Sequence, residues 1–451
     1  MPKTLFQNAL LITMNPGREV FHGDLLVEND RIAQIVKAGE RTQAKENVPD
    51  GELRVIEASG CALLPGFVQT HIHLCQTLFR NQAENLSLLD WLQQKIWPFE
   101  AAHNATSMRI SARLGIAELL AGGTTTILDM GSVHHYDEVF AEAEAHGLRL
   151  LGGKCMMDSG ENVPAGLRED TQQSLRESER LQKQWHGAAG GRLRYAYAPR
   201  FTLSCSEMLL REVAEMAKEQ GCMVHSHAAE TVAEEGILLK QKGCRSVAFF
   251  HELGIAGEHC CFAHGVQVHH EEMQMLAADG TSVAHCPGSN MKLASGLAPV
   301  IEMREAGVKV GLGADGAPCN NRLDIFKEMQ LAGLIQKIRR GPTALPAVEI
   351  MAMATIEGAR CLGLADEIGS LEAGKKADVT LLRLEALSQT PNNVSDIYAQ
   401  IVYAASAGDV RLTMVEGRVC YENGEIAQLD RAGLVTQAED EFKKLLQRVE
   451  L

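Results

Sequence analysis

Short apolar runs that end in a histidine or an aspartate recur through the middle of this chain. They are Cys222-Met223-Val224-His225-Ser226-His227, Cys260-Cys261-Phe262-Ala263-His264, Thr281-Ser282-Val283-Ala284-His285 and Val308-Lys309-Val310-Gly311-Leu312-Gly313-Ala314-Asp315. Helical segments lie between them. Repeated strand–helix units imply a parallel sheet, and about eight of them in roughly 300 residues imply a (β/α)₈ barrel. An open doubly wound sheet is the competing arrangement. It is weakened because the chain has no Gly-x-Gly-x-x-Gly dinucleotide loop.

One further run stands earlier. Cys61-Ala62-Leu63-Leu64 leads through a Pro65-Gly66 turn into Phe67-Val68-Gln69-Thr70-His71-Ile72-His73. Side chains at i and i+2 of a strand point the same way, so His71 and His73 project together from a strand end. Two imidazoles held like that are half a metal site. The later strand ends offer the rest: His227, His264, His285 and Asp315. His225 shares the parity of His227 and is the alternative to it. Three imidazoles with one carboxylate suit a single divalent metal, Zn²⁺ first and Fe²⁺ second, with a position left open to water. Taken singly, each histidine has an ordinary reading as a hydrogen-bonded structural residue, and the aspartate as a cap. The set as a whole carries the metal reading. A metal that acidifies water needs a proton shuttle beside it. Glu230, three residues past His227, is the candidate, whereas Glu234 and Glu235 read as solvated acids at a helix start.

Both ends of the chain read as antiparallel strands. Residues 4–12 and 24–36 alternate, with Asn29-Asp30 as a hairpin turn, and the pattern returns at 377–382 and 410–424. Residues 105–120 have helical periodicity ended by Gly122-Gly123, and Ser206 caps a helix that runs to about residue 220. The expected division is 1–58 and 369–430 as the two parts of a small β-sandwich, 59–368 as the catalytic barrel, and 431–451 as a closing helix. That helix packs on the body or on a second subunit.

The net charge of −15, without a basic run, argues against nucleic acid or an anionic membrane as partner. No apolar stretch reaches the roughly 18 residues of a membrane span, and the N-terminus lacks the basic-then-apolar pattern of a signal peptide. The twelve cysteines have neither zinc-finger spacing nor a disulfide framework, so they read as reduced thiols of a cytoplasmic protein.

Several of these segments together resemble the amidohydrolase superfamily, specifically its mononuclear aminohydrolase branch. They are Pro65-Gly66 with His71-Ile72-His73, His225-Ser226-His227-Ala228-Ala229-Glu230, Ala263-His264, the stretch from Val283 to Leu293, Gly313-Ala314-Asp315-Gly316-Ala317-Pro318-Cys319-Asn320-Asn321, and Gly369 to Asp378. The resemblance covers nearly the whole chain. It implies a (β/α)₈ barrel beside a composite β-sandwich, with His71, His73, His227 and Asp315 on the metal. It further implies Glu230 as shuttle, with Asp315 assisting, and His264 against the attacking water or the tetrahedral centre. Some relatives carry a second metal bridged by a modified lysine. Lys154 is the lysine to inspect, and one metal is the expectation. Relatives are commonly oligomers, so a homo-oligomer acting on a small molecule is expected.

Three substrate groups compete: 5′-substituted adenosines, guanine or pterins, and s-triazines of the melamine and atrazine type. The segment from Leu86 to Glu100 is similar to the adenosine group, in which the acid matching Glu100 binds ribose hydroxyls. Trp97 and His285 are counted with the substrate-facing residues, and Trp91 with the core. Arg200, in Pro199-Arg200-Phe201, departs from that pattern, because several adenosine-type relatives have histidine there and guanine deaminases have arginine facing the base. The segment from Leu74 to Arg80, with Glu100 and the segment from Asp315 to Asn321, most resembles 5′-deoxyadenosine deaminases. The expectation is therefore deamination at C6 of a 5′-substituted adenosine (5′-deoxyadenosine, methylthioadenosine or S-adenosylhomocysteine), with the guanine, pterin and triazine reactions as alternative. A non-catalytic scaffold of the same fold is a remote third reading.

Overall fold

The computed structural model describes residues 3–40, 53–391 and 396–449. The parts of the expected segments at 1–2, 41–52, 392–395 and 450–451 lie outside the described residues. Eight parallel positions make the central sheet: Phe67–His73, Thr124–Met130, Arg149–Gly153 continued by Cys155–Met156, Leu193–Pro199, Met223–Ala228, Cys260–His264, Ser282–His285, and a split eighth. The split closes the barrel. Val310–Leu312 pairs with the seventh strand, and Asp315–Gly316 pairs with the first, with Asp315 opposite Ile72 and Gly316 opposite His73. A Cβ on Gly313 would lie 2.6 Å from His71 O, so this close approach at the seam requires glycine.

Helices follow the strands as the periodicity implies. Ala105–Ala121 is closed at its start by an Asn104–Ser107 capping box and at its end by Gly122. Ser206 caps Glu207–Gln220, and left-handed Gly221 ends it. The C-terminal helix, Arg431–Leu446, packs on the body. Ala438 and Leu445 bury against Phe79, Phe99 and Ile110, and Leu434 against Ala117. No helix among the described residues is long and apolar enough to cross a membrane.

Both termini build one nine-stranded sheet. Lys3–Ile12 pairs with Val20–Glu28, and with Leu53–Glu57 and Cys61–Pro65; the last of these pairs with Val379–Arg383. The Asn29 turn joins Val20–Glu28 to Arg31–Lys37 as expected. One boundary moves: Cys61–Pro65, expected in the barrel, belongs to this sheet. Its run is apolar because it faces two cores. Cys61 and Leu63 join the terminal-sheet core, and Ala62 and Leu64 join the barrel's outer core. The barrel starts after Gly66.

Candidate active site

His71, His73, His227 and Asp315 come from the first, fifth and eighth strands and meet at the C-terminal mouth of the barrel. Their hydrogen-bond partners fix the tautomers, because a carbonyl oxygen can only accept. His73 Nδ1 donates to Met130 O and His227 Nδ1 to Arg200 O, each at 2.7 Å. His225 Nδ1 donates to Cys261 O at 2.8 Å, which leaves its Nε2 to accept from His71 Nδ1 at 2.7 Å. Burial pushes all four imidazoles down, His73 to about 3, so the rings are neutral.

The bare Nε2 atoms of His71, His73 and His227 therefore face a common space. His73 Nε2 and His227 Nε2 lie 3.3 Å apart with no proton left to share. Asp315 Oδ1 is 3.2 Å from His71 Nε2 and 3.3 Å from His73 Nε2, yet His71 Nε2 is buried without a hydrogen-bond partner. Three imidazole lone pairs and a carboxylate crowded together repel one another unless a cation sits among them. The donors thus fit a divalent metal: His71, His73 and Asp315 lie close enough to share one, as do His71, His227 and His264. His225 is the outer partner that orients His71, and both of its ring nitrogens are taken by hydrogen bonds. The sequence signal for it was available: His225 lies two residues before His227 on the same strand face, one layer deeper.

Glu230 and His264 flank this cluster. Glu230 Oε2 is 3.5 Å from His264 Nε2, which is 4.0 Å from Asp315 Oδ2. His264 Nδ1 donates to Asn290 Oδ1 at 2.9 Å, which turns Nε2 toward the cluster. Ser295 Oγ donates to Glu230 Oε1 at 3.3 Å. Burial raises the Glu230 carboxyl above its ordinary value, as a proton carrier requires. His264 and Asp315 hold left-handed φ angles of 77° and 62°, uncommon for non-glycine residues and found here at the site itself. The expectation that Glu234 and Glu235 are solvated is overturned, since both are buried. Glu234 accepts from Glu230 N at 3.1 Å, and Glu235 accepts from Ser246, whose Oγ in turn accepts from Ala229 N at 2.9 Å. The two acids anchor the loop that presents Glu230.

The pocket above the cluster is walled by Leu88, Trp91, Leu92, Phe201 and Leu293, with Arg200 on its rim of polar groups. Trp91 and Trp97 are both buried in one apolar cluster with Ala198 and Leu167; Trp91, expected in the core, also lines the pocket, while Trp97, expected on the substrate, is absent from its lining. His285 is buried beneath, outside the pocket lining, with neither ring nitrogen bonded. Glu100, expected on the substrate, is bound by Arg200 at 2.6 and 3.2 Å and by Gln76 Nε2 at 2.9 Å. A buried carboxylate three residues past Trp97 finds its nearest cation inside the protein. Lys154, the lysine to inspect, donates to Glu169 at 2.7 Å and to Ser174 at 3.1 Å.

Known proteins resemble this chain over nearly its whole length. The 5′-deoxyadenosine deaminase of Methanosarcina acetivorans is 36% identical over 450 residues, covering 99% of each chain. The 5-methylthioadenosine/S-adenosylhomocysteine deaminase of Desulfitobacterium hafniense is 36% identical over 452 residues, covering 99% of this chain and 100% of the relative. The crystal structure of an adenosine deaminase from Xanthomonas campestris with bound zinc superposes with a TM-score of 0.90 at 30% identity, over 98% of each chain. Residues 62–420 match the Amidohydrolase family, a span that includes every strand end described above, and the chain is a member of that family.

Proposed function

We propose that this chain is a metal-dependent hydrolytic deaminase of 5′-substituted adenosines, 5′-deoxyadenosine foremost. The observation that carries this is the approach of Glu230 and His264 to the neutral histidine–aspartate cluster under an apolar pocket. The names of the relatives support the adenosine reading. When held by His71, His73, His227 and Asp315, a divalent cation supplies Lewis acidity that lowers the pKa of a water there toward about 7.

The protein's own groups then move the protons. Glu230 takes the first proton from that water, and the water oxygen bonds to C6 of the base. Glu230 hands the proton to N1. His264 orients the water by accepting a hydrogen bond at Nε2. The second water proton passes, with help from Asp315, to the amino group. The C6–N bond breaks, ammonia leaves, and the oxygen stays as the carbonyl of the inosine analogue. Trp91 and Phe201 offer apolar walls to the purine and exclude water.

An outer cavity of about 510 Å³ shares Leu88 and Leu293 with this pocket, and Leu86, Leu89 and Val232 also line it. Its one cation, Lys292, is already bound by Glu84 at 2.8 Å, Pro318 O at 2.9 Å and Asn321 Oδ1 at 2.6 Å. This supports small, neutral 5′ substituents over a charged amino-acid tail. A cytoplasmic location belongs to the same reading; all twelve cysteines are free and eleven are buried.

The test is ammonia release from 5′-deoxyadenosine, S-adenosylhomocysteine, adenine, guanine and melamine. The expected order places 5′-deoxyadenosine first. Fast turnover of guanine or melamine with none of any nucleoside would sink the proposal.

A further inference from the structure

We infer that Glu328 is a positioning residue for the proton transfers: it ties the loop after the seventh strand to the loop after the eighth, and through Asn290 and Ser295 it holds His264 and Glu230 in place. This rests on the deaminase reading above and adds to it a residue outside the pocket. Glu328 lies in the first turn of the helix Ile325–Arg340, with no exposed surface. It does not line the pocket. Its Oε2 accepts from Gly288 N and its Oε1 from Asn320 Nδ2, both at 2.8 Å. Gly288 belongs to the short helix Pro287–Lys292, whose N-cap residue, Cys286, makes no side-chain cap. Pro287 has no N–H to satisfy, so Glu328 supplies, from another element, the acceptor that this helix start lacks. A Cβ on Gly288 would lie 2.6 Å from Glu328 Oε1, so the close approach requires glycine.

The same short helix carries two links to the reacting groups. Asn290 Oδ1 accepts from His264 Nδ1 at 2.9 Å. Asn290 O accepts from Ser295 N at 2.8 Å, and Ser295 Oγ donates to Glu230 Oε1 at 3.3 Å. On the other side, Asn320 Nδ2 spends its two hydrogens on Glu328 and on Ala314 O, the latter at 2.8 Å and one residue before Asp315. Lys327 Nζ donates to Asn320 Oδ1 at 2.6 Å, which fixes the orientation of that amide. One carboxylate thus accepts from two loops at once. Burial pushes it up to about 7, and the two N–H donors oppose that rise. Hydrogen bonds are directional, so a shared carboxylate couples the loops more tightly than apolar contact would. His264, Glu230 and Asp315 are thereby held to one frame, as proton transfer among them demands.

The test measures kcat and KM of the metal-loaded protein for wild type, Glu328→Gln and Asn320→Ala, on whichever compound of the panel above wild type turns over fastest. Glu328→Gln keeps the size of the side chain but offers one oxygen to two N–H donors. Its kcat should fall about ten-fold or more, with KM within about three-fold and metal content unchanged. Asn290→Ala removes the acceptor of His264. Combined with Glu328→Gln, it should cost little beyond the larger single effect, because the two act along one path. Wild-type kcat in folded Glu328→Gln protein, with only a lower melting temperature, would make Glu328 purely architectural and overturn the inference. Fully additive effects of Glu328→Gln and Asn290→Ala on kcat would overturn it as well. Should Glu328→Gln fail to fold, Asn320→Ala decides: a lowered kcat at unchanged KM supports the inference, and a wild-type kcat overturns it. Wild type that turns over neither nucleoside nor base would overturn the deaminase reading and this inference together, whereas a free base as the best substrate would overturn the adenosine reading alone.

Discussion

At the N-terminal end of the barrel, Arg149 is buried against the terminal sheet with every charge matched. It reaches both Asp378 oxygens at 3.0 and 3.1 Å and Glu416 at 3.2 Å, and Glu416 also meets Arg192 and Lys376. At the C-terminal end, polar groups are just as deeply buried, but they converge without satisfying one another. Three imidazole lone pairs and a carboxylate face one space, and His71 Nε2 has no hydrogen-bond partner. The lower network joins the two domains and needs nothing more. The upper one is incomplete without a cation and a substrate. Arg149 with its two acids is architecture, and the unsatisfied cluster lies where a barrel places its site.

Four changes separate the two ends. The largest effect is expected from Glu230→Gln, which removes the proton carrier. Turnover should fall about 10³-fold, while metal content and melting temperature stay at wild-type values. Near-normal turnover would remove Glu230 from the chemistry. Next, Arg149→Met leaves Asp378 and Glu416 short of their buried partner and should cost about 3 kcal/mol of stability. Denaturant titration reads the loss, and kcat of the folded fraction should be unchanged; an activity defect without a stability defect would erase the contrast between the two ends.

A third, smaller effect belongs to His225→Phe, which takes away the acceptor for His71 Nδ1–H. Metal affinity measured by chelator competition should weaken about 10- to 100-fold with the fold intact. Unchanged affinity would show that His71 needs no outer partner. The smallest effect concerns Asp129, fully buried on the second strand. Burial raises its carboxyl to about 7, against the hydrogen bonds it accepts from Leu74 N and Tyr136. A carboxyl raised on folding contributes stability that is present below the unfolded value near 4 and is lost as pH rises through about 7. Asp129→Asn cannot ionise, so its stability relative to wild type should improve by about 1 kcal/mol between pH 6 and pH 8. Parallel pH profiles for the two proteins would contradict the assignment.

Much of this was legible along the chain. The strand ends carrying His71, His73, His227, His264 and Asp315 stand out because strand parity and apolar runs are local patterns. The site they form lies where a barrel puts it. The terminal strands and the hairpin at Asn29 were equally plain. Cys61–Pro65 was not, because a strand between two cores looks like a barrel strand. Glu234 and Glu235 looked solvated because acids at a helix start usually are, and only the packing of the loop before them turned them inward. Trp91 and Trp97 lie on one short helical stretch, and which of them meets the pocket depends on a rotation that spacing does not encode.

The sequence by itself determined the barrel, the candidate metal ligands and the candidate acid beside them, since each follows from residues within one strand or just after it. Only the tertiary structure decided which donors are spent. Glu100 and Arg200 each suggested a different substrate while they stood apart in the chain. Folded, they neutralise one another, because a buried charge takes the nearest opposite charge whatever the sequence distance between them.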